Sequence, residues 1–282
     1  MRVGVGLPSA IPGTPGDLVV EWARRADGGP FASVGVLERV AYDSFDPFVA
    51  LSAAAAVTSR IGLVTMVAIG PLRTAEVLAK QAASVDALSR GRLVLGVSIG
   101  ARADDYDVPG IPRRDRGRRL AADLQRIRDL WEDERHGPSV RRDDRVGPPV
   151  LVGGLSGQAF VRMARSADGY VHGGGPPRAF ASAASRAWAA WRDLGRPGAP
   201  LLYGQGYFAL GSSAEEEGTR YLRDYYAFTG PFAERIAAEN LTTPRAAVDF
   251  VRGYEDAGCD ELVLLPTVSS PDQVERLAEV LG

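Results

Sequence analysis

Eight short apolar, β-branched runs alternate with longer stretches of helical period along this chain, and no other feature constrains its fold as tightly. The runs cover residues 3–8, 33–38, 61–68, 92–98, 149–152, 169–172, 201–209 and 261–266. Helical patterns fill the gaps at 17–26, 47–58, 75–88, 115–134, 157–166, 177–194, 214–240 and 244–257, and a last one covers 271–281. Such alternation predicts a parallel sheet, and eight repeats in about 250 residues predict a (β/α)8 TIM barrel formed as one domain over residues 1–282. A doubly wound open sheet is the alternative, because secondary structure alone does not close a barrel. Boundary residues agree with the periodicity. Thr243-Pro244 and Ser270-Pro271-Asp272 read as helix starts, while Ala257-Gly258 and Ser89-Arg90-Gly91 read as helix ends.

Composition excludes several classes of function. Hydrophobic residues make up 45% and charged residues 24%, ordinary globular values that rule out a disordered chain. The 33 basic and 35 acidic residues leave a net charge of −2, which gives no footprint for binding nucleic acid. Cys259 is the single cysteine, so neither an intramolecular disulfide nor a multi-cysteine metal site can form. Cys259 precedes the last strand and reads as a small packing residue. Only two histidines occur, His136 and His172, far apart in sequence, which argues against a His-rich metal centre; carboxylate-only sites stay open. Lys80 is the only lysine and lies in a helical pattern, away from the strand ends where a Schiff base would form. Residues 48–57 are the longest weakly polar run, about half of what a membrane span needs, and no secretory segment opens the chain. A cytoplasmic protein acting on a small molecule, away from membranes, is the expectation.

In a barrel of this kind chemistry belongs to the loops after the strands. The most informative of these is Pro149-Pro-Val-Leu-Val-Gly-Gly-Leu-Ser-Gly157, where a strand runs into Gly153-Gly154 and a helix opens a few residues later. Glycines let backbone amides approach an anion, and the helix start adds free N–H donors. The same glycines also suit a tight strand-to-helix turn, with Ser156 as its cap. Ser98 stands at the mouth after a strand with alternating glycines, which fit either a flat ligand or close helix packing. The arginine-rich stretch 113–119 follows Asp104, Asp105, Tyr106 and Asp107, and reads as a solvated helix start or as an anion clamp. Tyr225, Tyr226 and Phe228, in the long connection before the last strand, read as helix packing, although long insertions on this face also form lids.

Taken together, these segments resemble the luciferase-like family of flavin-dependent oxidoreductases. The resemblance rests on Val3-Gly-Val-Gly-Leu-Pro8, on Thr58-Ser-Arg-Ile-Gly-Leu63, and most specifically on the run from Val77 through Ser89-Arg-Gly-Arg-Leu-Val-Leu-Gly-Val97. Pro149-Pro-Val-Leu-Val-Gly-Gly154 and Ala257-Gly-Cys-Asp-Glu-Leu-Val-Leu265 complete it. The resemblance implies a barrel that binds reduced FMN or its 5-deaza analogue, coenzyme F-420, over the strand ends. It places a non-proline cis peptide at Met66-Val67, behind the cofactor ring, and the cofactor phosphate at Gly153, Gly154, Leu155 and Ser156. It also implies a homodimer, since relatives of the family frequently form one.

One departure bears on catalysis. Where the family usually reads Ser-Asp-His after the second strand, this chain reads Leu37-Glu38-Arg39. Glu38 keeps a carboxylate, but an arginine stays protonated and cannot act as a base near neutral pH. Glu38 and His172 are therefore the expected catalytic residues, His172 donating a proton or hydrogen-bonding the cofactor unless it is simply a polar residue satisfied beside Gly173-Gly174-Gly175. The expected activity is hydride transfer or monooxygenation of a small organic substrate. Two alternatives stand beside it: a cofactor-binding barrel that has lost turnover, and a hydrolase using two carboxylates such as Glu38 and Asp104.

Overall fold

A computed structural model describes residues 1–133, 138, 140–141, 146–211 and 214–282. Its strands are β1 (Arg2–Gly6), β2 (Ser33–Val36), β3 (Gly62–Thr65), β4 (Ala68–Ile69), β5 (Leu93–Ser98), β6 (Val150–Gly153), β7 (Gly169–Val171), β8 (Leu201–Phe208) and β9 (Glu261–Pro266). All pairings between them are parallel, in the order β3-β2-β1-β9-β8-β7-β6-β5-β4. β3 also pairs with β5, through Leu63 opposite Leu93 and Val64 opposite Val94. That contact closes the ring and removes the open-sheet alternative. β3 and β4 are two pieces of one barrel position, interrupted at Met66-Val67, so eight positions complete the TIM barrel.

The helices are α1 (Gly16–Gly28), α2 (Pro47–Val57), α3 (Ala75–Leu88), α4 (Asp104–Asp107), α5 (Arg116–Glu132), α6 (Gly157–Ser166), α7 (Pro177–Asp193), α8 (Ala214–Tyr225), α9 (Phe232–Ala238), α10 (Pro244–Asp256) and α11 (Asp272–Leu281). Side-chain caps start several of them: Asp46 accepts from the Phe48 and Val49 N–H groups, Thr74 from Val77, and Thr243 from Ala246. Ser270 does not cap α11; its hydroxyl donates to the Asp272 carboxylate instead. Gly91 and Gly258 take the left-handed conformations expected after α3 and α10. The helical pattern over 214–240 does not form one helix. α8 ends at Tyr225, a 3-10 turn follows over Ala227–Thr229, and Gly230, at φ 60 and ψ −134, with Pro231 separates that turn from α9. The expected helix end at Glu134, and His136, lie outside the described residues.

Alternation along the strands separates two cores. Val64, Met66, Leu151, Val171, Tyr203 and Val263 fill the barrel interior, while the opposite strand faces pack against the helices through residues such as Trp22, Phe31, Tyr170 and Phe180. Gly96 on β5 is needed where the third strand breaks, because a Cβ there would lie 2.2 Å from the Thr65 carbonyl oxygen. Among the described residues no helix is long and apolar enough to cross a membrane, and no cluster of three His, Cys, Asp or Glu side chains is placed to hold a metal.

Candidate active site

The strand ends open on a cavity of about 550 Å³. The third strand forms one wall: β3 stops at Thr65, the Met66–Val67 peptide is cis, and Ala68 resumes pairing in β4. Thr65 Oγ1 donates to the Gly96 carbonyl at 2.7 Å, fixing that edge to β5. Across the mouth, β6 ends in Gly153 and Gly154 follows it, both on the cavity wall, with Ser98 at the end of β5 also in the lining. Gly154 has φ 126, a conformation open to glycine alone in practice. Leu155 is 62% exposed and stays off the wall, and Ser156 Oγ accepts from the Ala159 N–H as the cap of α6.

Glu38 is buried on the cavity wall with both carboxylate oxygens engaged. The Ile69 N–H donates to Oε2, and the Arg73 guanidinium pairs with Oε1. Arg73 also pairs with Asp46 at 2.9 Å. Burial pushes the Glu38 carboxyl above its ordinary range, against the opposing pull of Arg73 and the Ile69 amide. The residue therefore ties the end of β2 to β4, the segment that borders the cavity after the cis peptide.

Arg39 is not in the lining of this cavity, although Asp105 and Tyr225, which hold its guanidinium, both are. Its Nε contacts both oxygens of Asp105, and Nη2 reaches Asp104 at 2.8 Å. Asp105, itself 1% exposed, also accepts from the Val40 and Ala41 N–H groups, so one carboxylate organises the whole turn after β2. The Arg39 guanidinium packs over Tyr42 and Tyr225, 4.9 and 5.5 Å from the ring centres. Glu38 and Asp104, the carboxylates of the hydrolytic alternative, are thus each taken up by an arginine.

The far wall is aromatic and basic. Tyr225, packed on Tyr221 at the end of α8, and Tyr226 and Phe228, in the break after it, all line the cavity, so the segment both packs and walls the mouth. Arg102 lies under them, 4.2 Å from the Tyr225 ring centre and 4.4 Å from that of Phe228, and donates to the Tyr225 carbonyl at 2.7 Å. The Tyr226 hydroxyl shares a 2.6 Å hydrogen bond with the Tyr207 hydroxyl at the end of β8. Arg116, at the start of α5, adds a second guanidinium to the wall.

His172 does not reach the wall. It is 2% exposed, beneath α7, its ring 5.9 Å from that of Phe180, with Nδ1 3.3 Å from the Tyr170 hydroxyl. Burial holds its pKa down at about 4, with the Gly174 backbone opposing. At neutral pH it is an uncharged ring among aromatic neighbours.

A model of the luciferase-like monooxygenase family matches residues 1–241. The chain belongs to this family. Among relatives of this luciferase-like protein, an uncharacterized protein of Mycobacterium tuberculosis is 39% identical over 140 residues, covering 45% of the chain and 50% of the relative. A pyrimidine monooxygenase of Escherichia coli is 32% identical over 171 residues, 54% of the chain and 47% of that protein. The luciferase-like chain thus spans about half the length of the curated relatives it matches. The whole barrel is similar to a solved coenzyme F-420-dependent secondary alcohol dehydrogenase, with a TM-score of 0.80 at 13% identity over 99% of this chain and 97% of that one, a likeness of fold.

Within this luciferase-like frame the structure brings Glu38, Met66, Val67, Ser98, Gly153 and Gly154 together around one cavity. Leu155, Ser156 and His172 lie outside its lining. Arg102 falls in the loop after β5 expected at the mouth but is not singled out by the sequence, and Tyr226 is legible only as helix packing or part of a lid. A local signal for a turn near the tyrosine is Gly230-Pro231, which interrupts the helical pattern.

Proposed function

We propose that this luciferase-like barrel binds coenzyme F-420 or FMN in reduced form at its mouth and uses it to transfer a hydride to, or to oxygenate, a small organic substrate held beneath Tyr225, Tyr226 and Phe228. The observation that carries the reading is the composition of one cavity: an apolar wall at Met66 and Val67 faces a diglycine turn flanked by arginine. The residues fit such a group. A volume of about 550 Å³ is in the range of small-molecule sites. The missing side chain at Gly153 leaves room, since a Cβ there would already touch Val171 and Ser98 at 3.4–3.5 Å. The Nε atoms of Arg102 and Arg116 are buried without a hydrogen-bond partner among the described residues, as expected of donors awaiting a ligand.

The bound cofactor supplies the redox chemistry. Met66 and Val67 would back its ring system, and Gly153, Gly154 and Arg116 would hold its anionic chain. Glu38 acts as a positioning residue, holding β4 through the Ile69 amide. Arg39 is committed to Asp104 and Asp105, so the proton-handling group assigned to this site is the Tyr226 hydroxyl, paired with Tyr207 at the cavity wall. His172 packs beneath α7 and supports the strand end.

Titration with FMN and with coenzyme F-420, each oxidised and reduced, followed by cofactor fluorescence, tests the proposal. Saturable binding of at least one is expected. No response to either would remove the reading, and tight binding without turnover across a substrate panel would favour a cofactor-binding barrel.

A further inference from the structure

Arg162, on α6, carries a buried guanidinium that no described residue neutralises. The residue is 8% exposed, and its Nε has no hydrogen-bond partner among the described residues. No carboxylate influences its titration, which burial alone pushes downward. Its Nη2 abuts Gly117, where a Cβ would sit 2.9 Å away. Gly117 belongs to the first turn of α5, and Asp115 ahead of it provides no side-chain cap. First-turn N–H groups lack intrahelical acceptors and carry the positive end of the helix dipole. A buried cation against that end, with no counter-charge among the described residues, is unfavourable on both counts and makes chemical sense with an anion between them.

The space for that anion exists. A groove of about 750 Å³ runs between α5 and α6, lined by Gly117, Arg118, Gly157, Gln158, Arg162 and Arg165. Gly157 opens α6, so two helix N-termini and three guanidinium groups face one groove. Arg118 pairs with Asp115 at 2.9 Å, which leaves Arg162 and the exposed Arg165 as the free cations among the described residues of the groove. The groove adjoins the mouth: Arg116 and Gly154 face the mouth cavity, Gly117 and Gly157 the groove.

We propose that this groove binds the charged end of an elongated cofactor whose rings occupy the mouth, a chain bearing carboxylate or phosphate groups anchored by Arg162. The inference rests on the cofactor reading of the mouth and selects within it. FMN ends at its phosphate, whereas coenzyme F-420 continues into an acidic tail, so the groove favours the deazaflavin.

The test compares wild type and Arg162→Gln in binding coenzyme F-420 with its acidic tail, the same deazaflavin trimmed back to its phosphate, and FMN. Arg162→Gln should weaken the tailed form about tenfold, the effect of one charge-assisted contact, and leave the other two unchanged. Arg162→Lys should recover part of the loss. Arg165→Gln, at an exposed position where folding is not at stake, should show a smaller loss confined to the tailed form. Equal wild-type affinity for tailed and trimmed forms, or an equal loss of all three ligands in Arg162→Gln, would overturn the proposal while leaving the mouth reading intact. If no cofactor binds wild type, both readings of the cofactor fall. Inorganic phosphate provides a separate readout: it should raise the melting temperature of wild type but not of Arg162→Gln, and a matching rise in both would show that Arg162 anchors no anion.

Discussion

Asp105 grips Arg39 at two points, its oxygens 3.1 and 2.9 Å from the guanidinium Nε, while also accepting the Val40 and Ala41 amides. A single buried carboxylate thereby sets the course of the turn that follows the second strand. Arg39 is held by Asp104 and Asp105 and does not line the cavity. Replacing Asp105 with alanine should cost about 3 kcal/mol, at the low end for breaking a buried pair because Asp104 keeps one contact with Arg39. Urea denaturation of Asp105→Ala checks this, and a loss below about 1 kcal/mol would show that the pair is dispensable.

Tyr226 should matter for turnover more than for binding. Replacing it with phenylalanine removes the hydroxyl paired with Tyr207 but keeps the ring over the mouth. A drop in kcat of roughly a hundredfold, with cofactor affinity unchanged, is the expected result for loss of a proton-transfer group. Steady-state kinetics on any accepted substrate decides it. An unchanged kcat would return Tyr226 to the role of a wall.

Gly153 and Gly154 separate folding from binding. Alanine at Gly153 meets Val171 and Ser98 at ordinary contact distances, so the barrel should fold normally while the methyl group narrows the cavity. Cofactor affinity should fall about tenfold, the order expected for overpacking a fitted site. A β-branched residue at Gly154, where φ is 126 and a Cβ would lie 3.0 Å from that of Ala159, should also lower the melting temperature. If Gly153→Ala binds like wild type, the diglycine turn serves the fold alone.

His172 makes a pH prediction with a definite sign. Its pKa is held at about 4 in the folded barrel against 6.5 in an unperturbed chain. Between those values the unfolded chain binds a proton that the folded chain does not. Stability present in full above pH 6.5 is therefore lost as pH falls toward 4. The difference corresponds to roughly 3 kcal/mol for this single, almost fully buried ring. In His172→Gln the loss of stability across that window should be shallower by this amount, as measured by denaturant midpoints at several pH values. Parallel curves for the two proteins would show that other groups govern the acid limb.

Much of this fold is legible in the amino-acid sequence. The alternation of β-branched runs with helical periods reports directly on local burial, so all eight barrel positions fall within two residues of the expected ones. Caps and stops such as Thr243-Pro244 and Gly258 act over a few residues and are equally local. Closure is a different matter. The pairing of Leu63 with Leu93 joins β3 to β5 past the short β4, and no local signal distinguishes a closed ring from an open sheet.

The site divides in the same way. Gly153-Gly154 could be placed at the mouth from the chain because a diglycine between a strand and a helix start is a local pattern. The direction in which a polar side chain points could not be read that way. Glu38 sits on the wall with its charge already used, Arg39 turns to Asp105, and His172 is sealed beneath α7, each decided by partners distant in sequence. Side-chain orientation and protonation depend on what packs against a residue, and in a closed barrel those neighbours are assembled only when the ring forms. The local sequence thus determined which elements this chain makes and where its mouth lies; the tertiary contacts decided which of the residues near that mouth are free to meet a ligand.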